Sequence, residues 1–222
     1  MQIKYCLPII KNTKKEVLKS LKTEGYDFYE IWLDYIKDLD DKFLTGIAKA
    51  YKGNLIFLFR RQNLEKIKLS LEKRQQIISL LSNFSIVVDL DFLTQYEELQ
   101  HLKQYPKIKL ILSYHNYKET PKPDYLWSLV SKMKKYNSYI LKIATFCQKE
   151  TDGLSLLNFQ IKLKNEKLRY IVLGMGKKGL ITRIFGSIWG NQFSFAPIDI
   201  KDRSAEGQLT KKQMENILQE VG

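Results

Sequence analysis

The sequence predicts a single-domain α/β fold, the (β/α)8 or TIM barrel, spanning residues 1–222. Three observations carry this. Eight short apolar, β-branched runs alternate with eight lysine- and glutamate-rich stretches of helical spacing, strand starts fall 23 to 31 residues apart, and no Pro- or Ser-rich linker interrupts the alternation. One right-handed βα unit per repeat, eight times, most naturally closes on itself. A doubly wound open sheet is the alternative topology.

The strand segments are Ile3–Ile10, Phe28–Asp34, Leu55–Arg60, Ser85–Asp91, Lys109–His115, Tyr139–Thr145, Tyr170–Gly176 and Phe193–Ile198. Each is short enough to be a strand buried on both faces. Val17, Leu18 and Leu21 mark the first helix, and Ile67, Leu71 and Ile78 the third. Leu209–Val221 is a closing helix that Thr210 can cap.

Composition bounds the function. Hydrophobic residues make up 44% of the 222, enough for one sizeable core, and no apolar run approaches the roughly 20 residues a membrane span needs. Met1 to Ile10 is too poor in apolar residues for a signal peptide. Cys6 and Cys147 make neither a disulfide framework nor a metal cluster, and with two histidines a zinc site would depend on carboxylates. No metal is expected, and the location expected is cytoplasmic. Lys+Arg 37 against Asp+Glu 24 gives a net charge of +13, which invites nucleic acid, an acidic membrane or an anionic substrate. The lysines interleave with glutamates in the helical stretches, as in Lys66–Lys73, which is a solvated face and not a nucleic-acid stripe.

Strand parity sorts the polar residues. One parity is almost wholly apolar. The other collects Glu30, Asp34, Arg60, Asp89, Asp91, Ser113, His115 and Lys142. In a barrel that parity faces inward, and active sites form at the C-terminal strand ends. Burying so many ionisable groups is costly unless they pair or do chemistry. Lys142, between Ile140, Leu141, Ile143 and Ala144, is the sharpest. A desolvated amine loses its charge more readily and becomes a nucleophile suited to a Schiff base with a ketone or aldehyde. His115, one strand earlier, is suited to move protons. His101, in the stretch Thr94–Gln104, is expected at the surface with no role. The run Gly174-Met175-Gly176-Lys177-Lys178-Gly179 spells a dinucleotide fingerprint, but in the seventh unit. It is better read as a tight turn that brings substrate to the backbone, with Arg183 offering a fork to a carboxylate.

These pieces together resemble type I 3-dehydroquinate dehydratase over essentially the whole chain. Glu30-Ile31-Trp32-Leu33-Asp34 is similar to the family's E-x-R-x-D, Phe57-Leu58-Phe59-Arg60 to F-T-x-R, and Asp89-Leu90-Asp91 to D-x-E. Ser113-Tyr114-His115-Asn116-Tyr117 with Thr120-Pro121 resembles S-x-H-[DN]-[FY] and a downstream T-P, and Lys142-Ile143-Ala144 resembles K-[IV]-A. Met175-Gly176-Lys177-Lys178-Gly179-Leu180-Ile181-Thr182-Arg183 resembles M-G-x-x-G-x-x-S-R, and Ser204-Ala205-Glu206-Gly207-Gln208 resembles S-A-P-G-Q.

The resemblance implies dehydration of 3-dehydroquinate to 3-dehydroshikimate. Lys142 would form the iminium and His115 would move the protons. Arg183 would hold the carboxylate, with Ser204 and Gln208 on a closing loop and Glu30 and Arg60 on the ring hydroxyls. No cofactor is implied. The partners expected are the small-molecule substrate and a second copy in a homodimer, without nucleic acid or membrane. Two other readings compete, a Schiff-base aldolase-like barrel enzyme and a catalytically impaired basic barrel with a binding role. The S-x-H and S-A-x-G-Q elements argue against the aldolase.

The chain departs from the family pattern at several positions. Trp32 replaces the motif arginine, and an indole offers no bidentate fork, so Trp32→Arg is expected to raise kcat/KM. The glutamate that in the family often follows the third-strand arginine by four and partners the histidine is Leu64 here, with Glu65 and a second arginine, Arg61, nearby. Thr182 for serine and Asp91 for glutamate are mild changes. Glu206 for proline should loosen the loop.

Overall fold

Strand and helix alternate eight times in the computed structural model, which describes residues 3–60 and 69–221. The strands are β1 Tyr5–Ile9, β2 Phe28–Trp32, β3 Leu55–Leu58, β4 Val87–Asp91, β5 Lys109–Asn116, β6 Ile140–Phe146, β7 Tyr170–Met175 and β8 Ser194–Phe195. The helices are α1 Lys14–Leu21, α2 Asp41–Ala50, α3 Leu71–Leu81, α4 Tyr96–Leu102, α5 Pro123–Met133, α6 Glu150–Asn165, α7 Leu180–Trp189 and α8 Lys211–Val221. Ile67, expected in the third helix, lies outside the described residues.

Two compact units divide the chain, one of Pro8–Ile111 and one of Met1–Leu7 with Leu112–Gly222. In the first, β3 lies between β2 and β4, all parallel, with Glu30 opposite Ile56 and Leu58 opposite Asp89. Three of its helices begin where side chains satisfy the free N–H groups. Thr13 and Glu16 form a reciprocal capping box on α1, Asp40 caps α2 and Ser70 caps α3. Val17 and Leu21 of α1 are buried, but Leu18, also expected inward, is 43% exposed. The heptad-like spacing fits both sides of a short helix, and only packing chooses. Between α3 and α4, Arg74 and Glu98 pair at 2.6 Å with both side chains buried, and burial pushes the Glu98 carboxyl up.

In the second unit β6 pairs with β5 on one side and with β7 on the other, Lys142 standing opposite Ile171. The first strand pairs with the last, Tyr5 opposite Ser194 and Cys6 opposite Phe195. That pairing is the signature of a barrel, since a doubly wound sheet keeps its first strand away from its last. The final strand is shorter than the expected Phe193–Ile198. The ladder continues as far as Ala196 N–H to Cys6 O at 3.0 Å. At the β7 edge a side chain stands in for a strand. Asn191 Oδ1 accepts from Val172 N at 2.8 Å and its Nδ2 donates to Val172 O at 3.0 Å, while Gln192 N donates to Tyr170 O at 3.0 Å. The closing helix α8 starts at a reciprocal pair, Gln213 N to Thr210 Oγ1 at 3.2 Å and Thr210 N to Gln213 Oε1 at 3.0 Å.

Two expectations are corrected here. The segment Phe28–Asp34 does not stay extended, since Leu33–Tyr35 forms a 3-10 turn after Trp32. Asp34 therefore works as a loop anchor, its carboxylate accepting from Arg60 N at 2.8 Å and Leu69 N at 3.1 Å. His101 is only half-buried, not free at the surface. Its Nε2 lies 2.9 Å from Ser79 Oγ and 3.1 Å from Gln75 O, so it fastens α4 to α3.

Candidate active site

Lys142 is 5% exposed on β6, between neighbours that are apolar on both sides. Its Nζ sits 4.3 Å from the centroid of the Phe195 ring, the last residue of β8. Sequence reasoning did not single out Phe195, since a phenylalanine in a strand reads as core. Here the ring turns its face to the amine.

The backbone of Phe195 carries the next contact. Gln208 Nε2 donates to Phe195 O at 3.2 Å, and Gln208 Oε1 accepts from Ser204 N at 2.7 Å and Ser204 Oγ at 3.3 Å. Ser204 and Gln208 are thus brought together, and to the strand whose side chain flanks Lys142. The loop they belong to lines a cleft of about 730 Å³ with Lys177, Leu180 and Arg203.

This loop is also pinned to the glycine turn after β7. Gly176 N donates to Glu206 O at 3.1 Å. Gly176 and Gly207 both have positive φ, 78° and 76°, and a Cβ on Gly207 would meet Gly176 O at 2.5 Å. Two backbones therefore touch where any side chain would separate them. Thr182 braces the turn from within, its hydroxyl accepting from Gly174 N and donating to Gly179 O, both at 2.7 Å. The fingerprint-like spacing thus serves a tight turn. Glu206, in place of the family's proline, contributes its carbonyl to it.

Arg183, one residue beyond that brace on α7, is 6% exposed. Its Nε and Nη2 have no hydrogen-bond partner among the described residues. It shares a small cavity with Leu173, Phe193 and Phe195. Burial pulls its guanidinium down to about 10. A buried cation with two unused donors is poised for an anion.

His115, the penultimate residue of β5, is 8% exposed, and its ring stacks on Tyr117 at 6.2 Å and 27°. Strand parity puts it in the alternating set that includes Ser113, fully buried. Glu65, a possible partner for this histidine on sequence grounds, lies outside the described residues.

The other unit holds Glu30 and Arg60. Both are buried, at 2% and 8% exposure. Trp32 Nε1 donates to Glu30 Oε2 at 3.0 Å, so the indole supplies one of the donors that the missing arginine would offer. Its ring meets Tyr35 edge-on at 5.9 Å, and Arg60 Cζ lies 3.9 Å over the Tyr35 ring. Tyr35 was invisible to sequence reasoning because it falls in the turn after β2. Asp91, set among the inward polar residues by parity, caps its own turn, Oδ1 accepting from Leu93 N at 3.0 Å and Thr94 N at 3.1 Å. Among the described residues no group of three or more His, Cys, Asp or Glu could hold a metal ion, and no helix is long and apolar enough to cross a membrane.

Comparison with known proteins places this arrangement. The family profile described as type I 3-dehydroquinase matches residues 5–222. A 3-dehydroquinate dehydratase of Pyrococcus abyssi is 30% identical over 217 residues, covering 96% of each chain. One from Dehalococcoides mccartyi strain BAV1 is 28% identical over 224 residues, covering 97% of this chain and 95% of its own. Among solved structures, the type I 3-dehydroquinate dehydratase of Clostridium difficile, with covalently modified comenic acid, superposes with TM-score 0.83 at 24% identity, over 99% of this chain and 92% of that one. The 3-dehydroquinate dehydratase of Geobacillus kaustophilus gives TM-score 0.85 at 20% identity, over 100% and 91%. The fold is theirs, the (β/α)8 barrel.

Proposed function

The chain belongs to the type I 3-dehydroquinase family, and on that premise we propose that it dehydrates 3-dehydroquinate to 3-dehydroshikimate through a Schiff base at Lys142. The observation that carries the reading is the buried Lys142 amine, walled by Phe195, in the same unit as a buried arginine with unused donors. A neutral amine is the nucleophile the first step needs.

Lys142 Nζ attacks the C3 ketone, and the carbinolamine loses water to give an iminium. The iminium nitrogen draws electrons, so the C2 proton becomes acidic. His115 takes that proton, and the electron pair moves into the enamine. The enamine then expels the C1 hydroxyl, which leaves as water with the proton that His115 returns. Hydrolysis of the remaining iminium frees Lys142 and 3-dehydroshikimate. Nothing is oxidised or reduced, and no cofactor enters.

Arg183 holds the substrate carboxylate, which supplies the acceptor its Nε and Nη2 can use. Ser204 and Gln208 close over the substrate from their loop. Glu30 and Arg60 take the ring hydroxyls, Glu30 aligned by Trp32 and Arg60 by Tyr35. The enzyme works as one domain over residues 1–222, as a homodimer in the cytoplasm. The buried thiols of Cys6 and Cys147 suit such a reducing compartment. The test is direct. Purified protein given 3-dehydroquinate at neutral pH should generate the absorbance of a conjugated enone, and Lys142→Ala should not. Equal rates for the two proteins would overturn the reading.

A further inference from the structure

Lys142 and His115 stand on consecutive strands, and the segments that follow them are fastened together by side chains outside the catalytic set. The residue after His115 starts a turn, with Asn116 Oδ1 accepting from Lys118 N at 2.9 Å and Glu119 N at 3.1 Å. The turn itself is exposed at Tyr117, Lys118 and Glu119. Its far end is not. The Thr120 hydroxyl lies 3.0 Å from Phe146 O and 2.9 Å from Thr145 Oγ1, three residues past Lys142 on the same strand. Gln148 Nε2 adds a bond to Lys118 O at 2.9 Å.

A hydroxyl has one proton, so Thr120 donates to the Phe146 carbonyl and accepts from Thr145, which is fully buried. Thr145 in turn is held in the β6–β7 ladder opposite Gly174. The short loop that begins at His115 is therefore buttoned at its base to the strand that carries the nucleophile.

We propose that Thr120 is a positioning residue for His115. It acts through the 116–120 loop, fixing where the imidazole stands relative to substrate bound at Lys142. The inference rests on the reading above, in which His115 carries the protons. Proton transfer depends steeply on donor–acceptor geometry, and misplacement by about 1 Å can cost about a hundredfold. Lys142 itself is held by the β6–β7 ladder, opposite Ile171, which stays in place when the Thr120 hydroxyl is removed.

The test compares Thr120→Val, which keeps the shape and removes the hydroxyl, with Thr120→Ser, which keeps the hydroxyl. In Thr120→Val we expect kcat to fall about tenfold with KM within about twofold, because a small shift of the imidazole slows only the proton steps. The isotope effect with substrate deuterated at C2 should rise, and Thr120→Ser should restore both. The chain has two histidines, so imidazole NMR resolves them. The His115 signals should move in Thr120→Val while those of His101 stay. Should Thr120→Val fold poorly, Thr145→Ala removes one contact of the Thr120 hydroxyl and should give the same signature in lesser degree.

A kcat unchanged in folded Thr120→Val, or a loss that serine fails to rescue, overturns the proposal. Borohydride separates it from the reading beneath it. An adduct on Lys142 of the parent with unchanged kcat in the variant sinks the positioning role alone. An unmodified parent sinks both.

Discussion

Replacing Arg183 by methionine should make the protein more stable and nearly inactive. The guanidinium is 6% exposed, and its Nε and Nη2 lack partners among the described residues. Desolvation lowers its pKa to about 10, which at ~1.4 kcal/mol per pKa unit corresponds to ~3 kcal/mol of destabilisation when charged. The sign follows from linkage. A base whose folded value lies below its unfolded one penalises the fold wherever it is charged, so the penalty is fully present below about pH 10 and fades only above it. Methionine keeps most of the apolar stem and carries no charge. For a chain of this size ~3 kcal/mol corresponds to a Tm rise of ~6–12 °C, less whatever packing the shorter side chain gives up. The assay is thermal melting at neutral pH without ligand, alongside kinetics. kcat/KM should fall ~100-fold or more, as expected when one member of a buried charge pair with substrate is removed. A Tm that drops, or a kcat/KM within a few-fold of the parent, would refute the view that this cation is held at a cost for an anionic substrate.

Two other substitutions test neighbouring parts of the site. Trp32→Phe keeps the ring against Tyr35 but deletes the 3.0 Å bond to Glu30. A hydrogen bond to a charged group is worth ~1.5–3 kcal/mol, so KM should rise ~10-fold or more while kcat holds. Trp32→Arg should raise kcat/KM, and an unchanged or lower value would mean the indole is the better partner in this pocket. Gly207→Ala sets a Cβ 2.5 Å from Gly176 O at a φ of 76°. The loop must lift off the turn, so kcat/KM should drop ~10-fold with at least ~1 kcal/mol lost in a denaturant melt.

Much of this is legible in the sequence, for identifiable reasons. Doubly buried strands between amphipathic helices repeat at a fixed spacing, so their positions survive any uncertainty in their ends. Lys142 could be read because a charged residue among Ile140, Leu141, Ile143 and Ala144 contradicts its surroundings. Arg183 lay at a turn whose glycines announced a close approach. What could not be read depends on the direction of one side chain or the end of one strand. Asp34 looked like a site carboxylate because parity assumes the strand continues, whereas a 3-10 turn after Trp32 redirects it to the Arg60 and Leu69 amides. His101 has an ordinary helical context, and only the packing of α3 on α4 gives it Ser79 and Gln75. Asn191 imitates a peptide group at the β7 edge, and no spacing rule marks an asparagine that does so. Trp32 was visible as a departure from a motif, but its bond to Glu30 was not.

The central claim is that Lys142 bonds covalently to the substrate. The most direct measurement is to mix the protein with 3-dehydroquinate, reduce with borohydride, digest, and locate the added mass by tandem mass spectrometry. The account predicts one stable adduct on the peptide carrying Lys142, none without substrate, and irreversible loss of activity in step with labelling. Full enone production with Lys142 unmodified, or the adduct on another lysine, would contradict it.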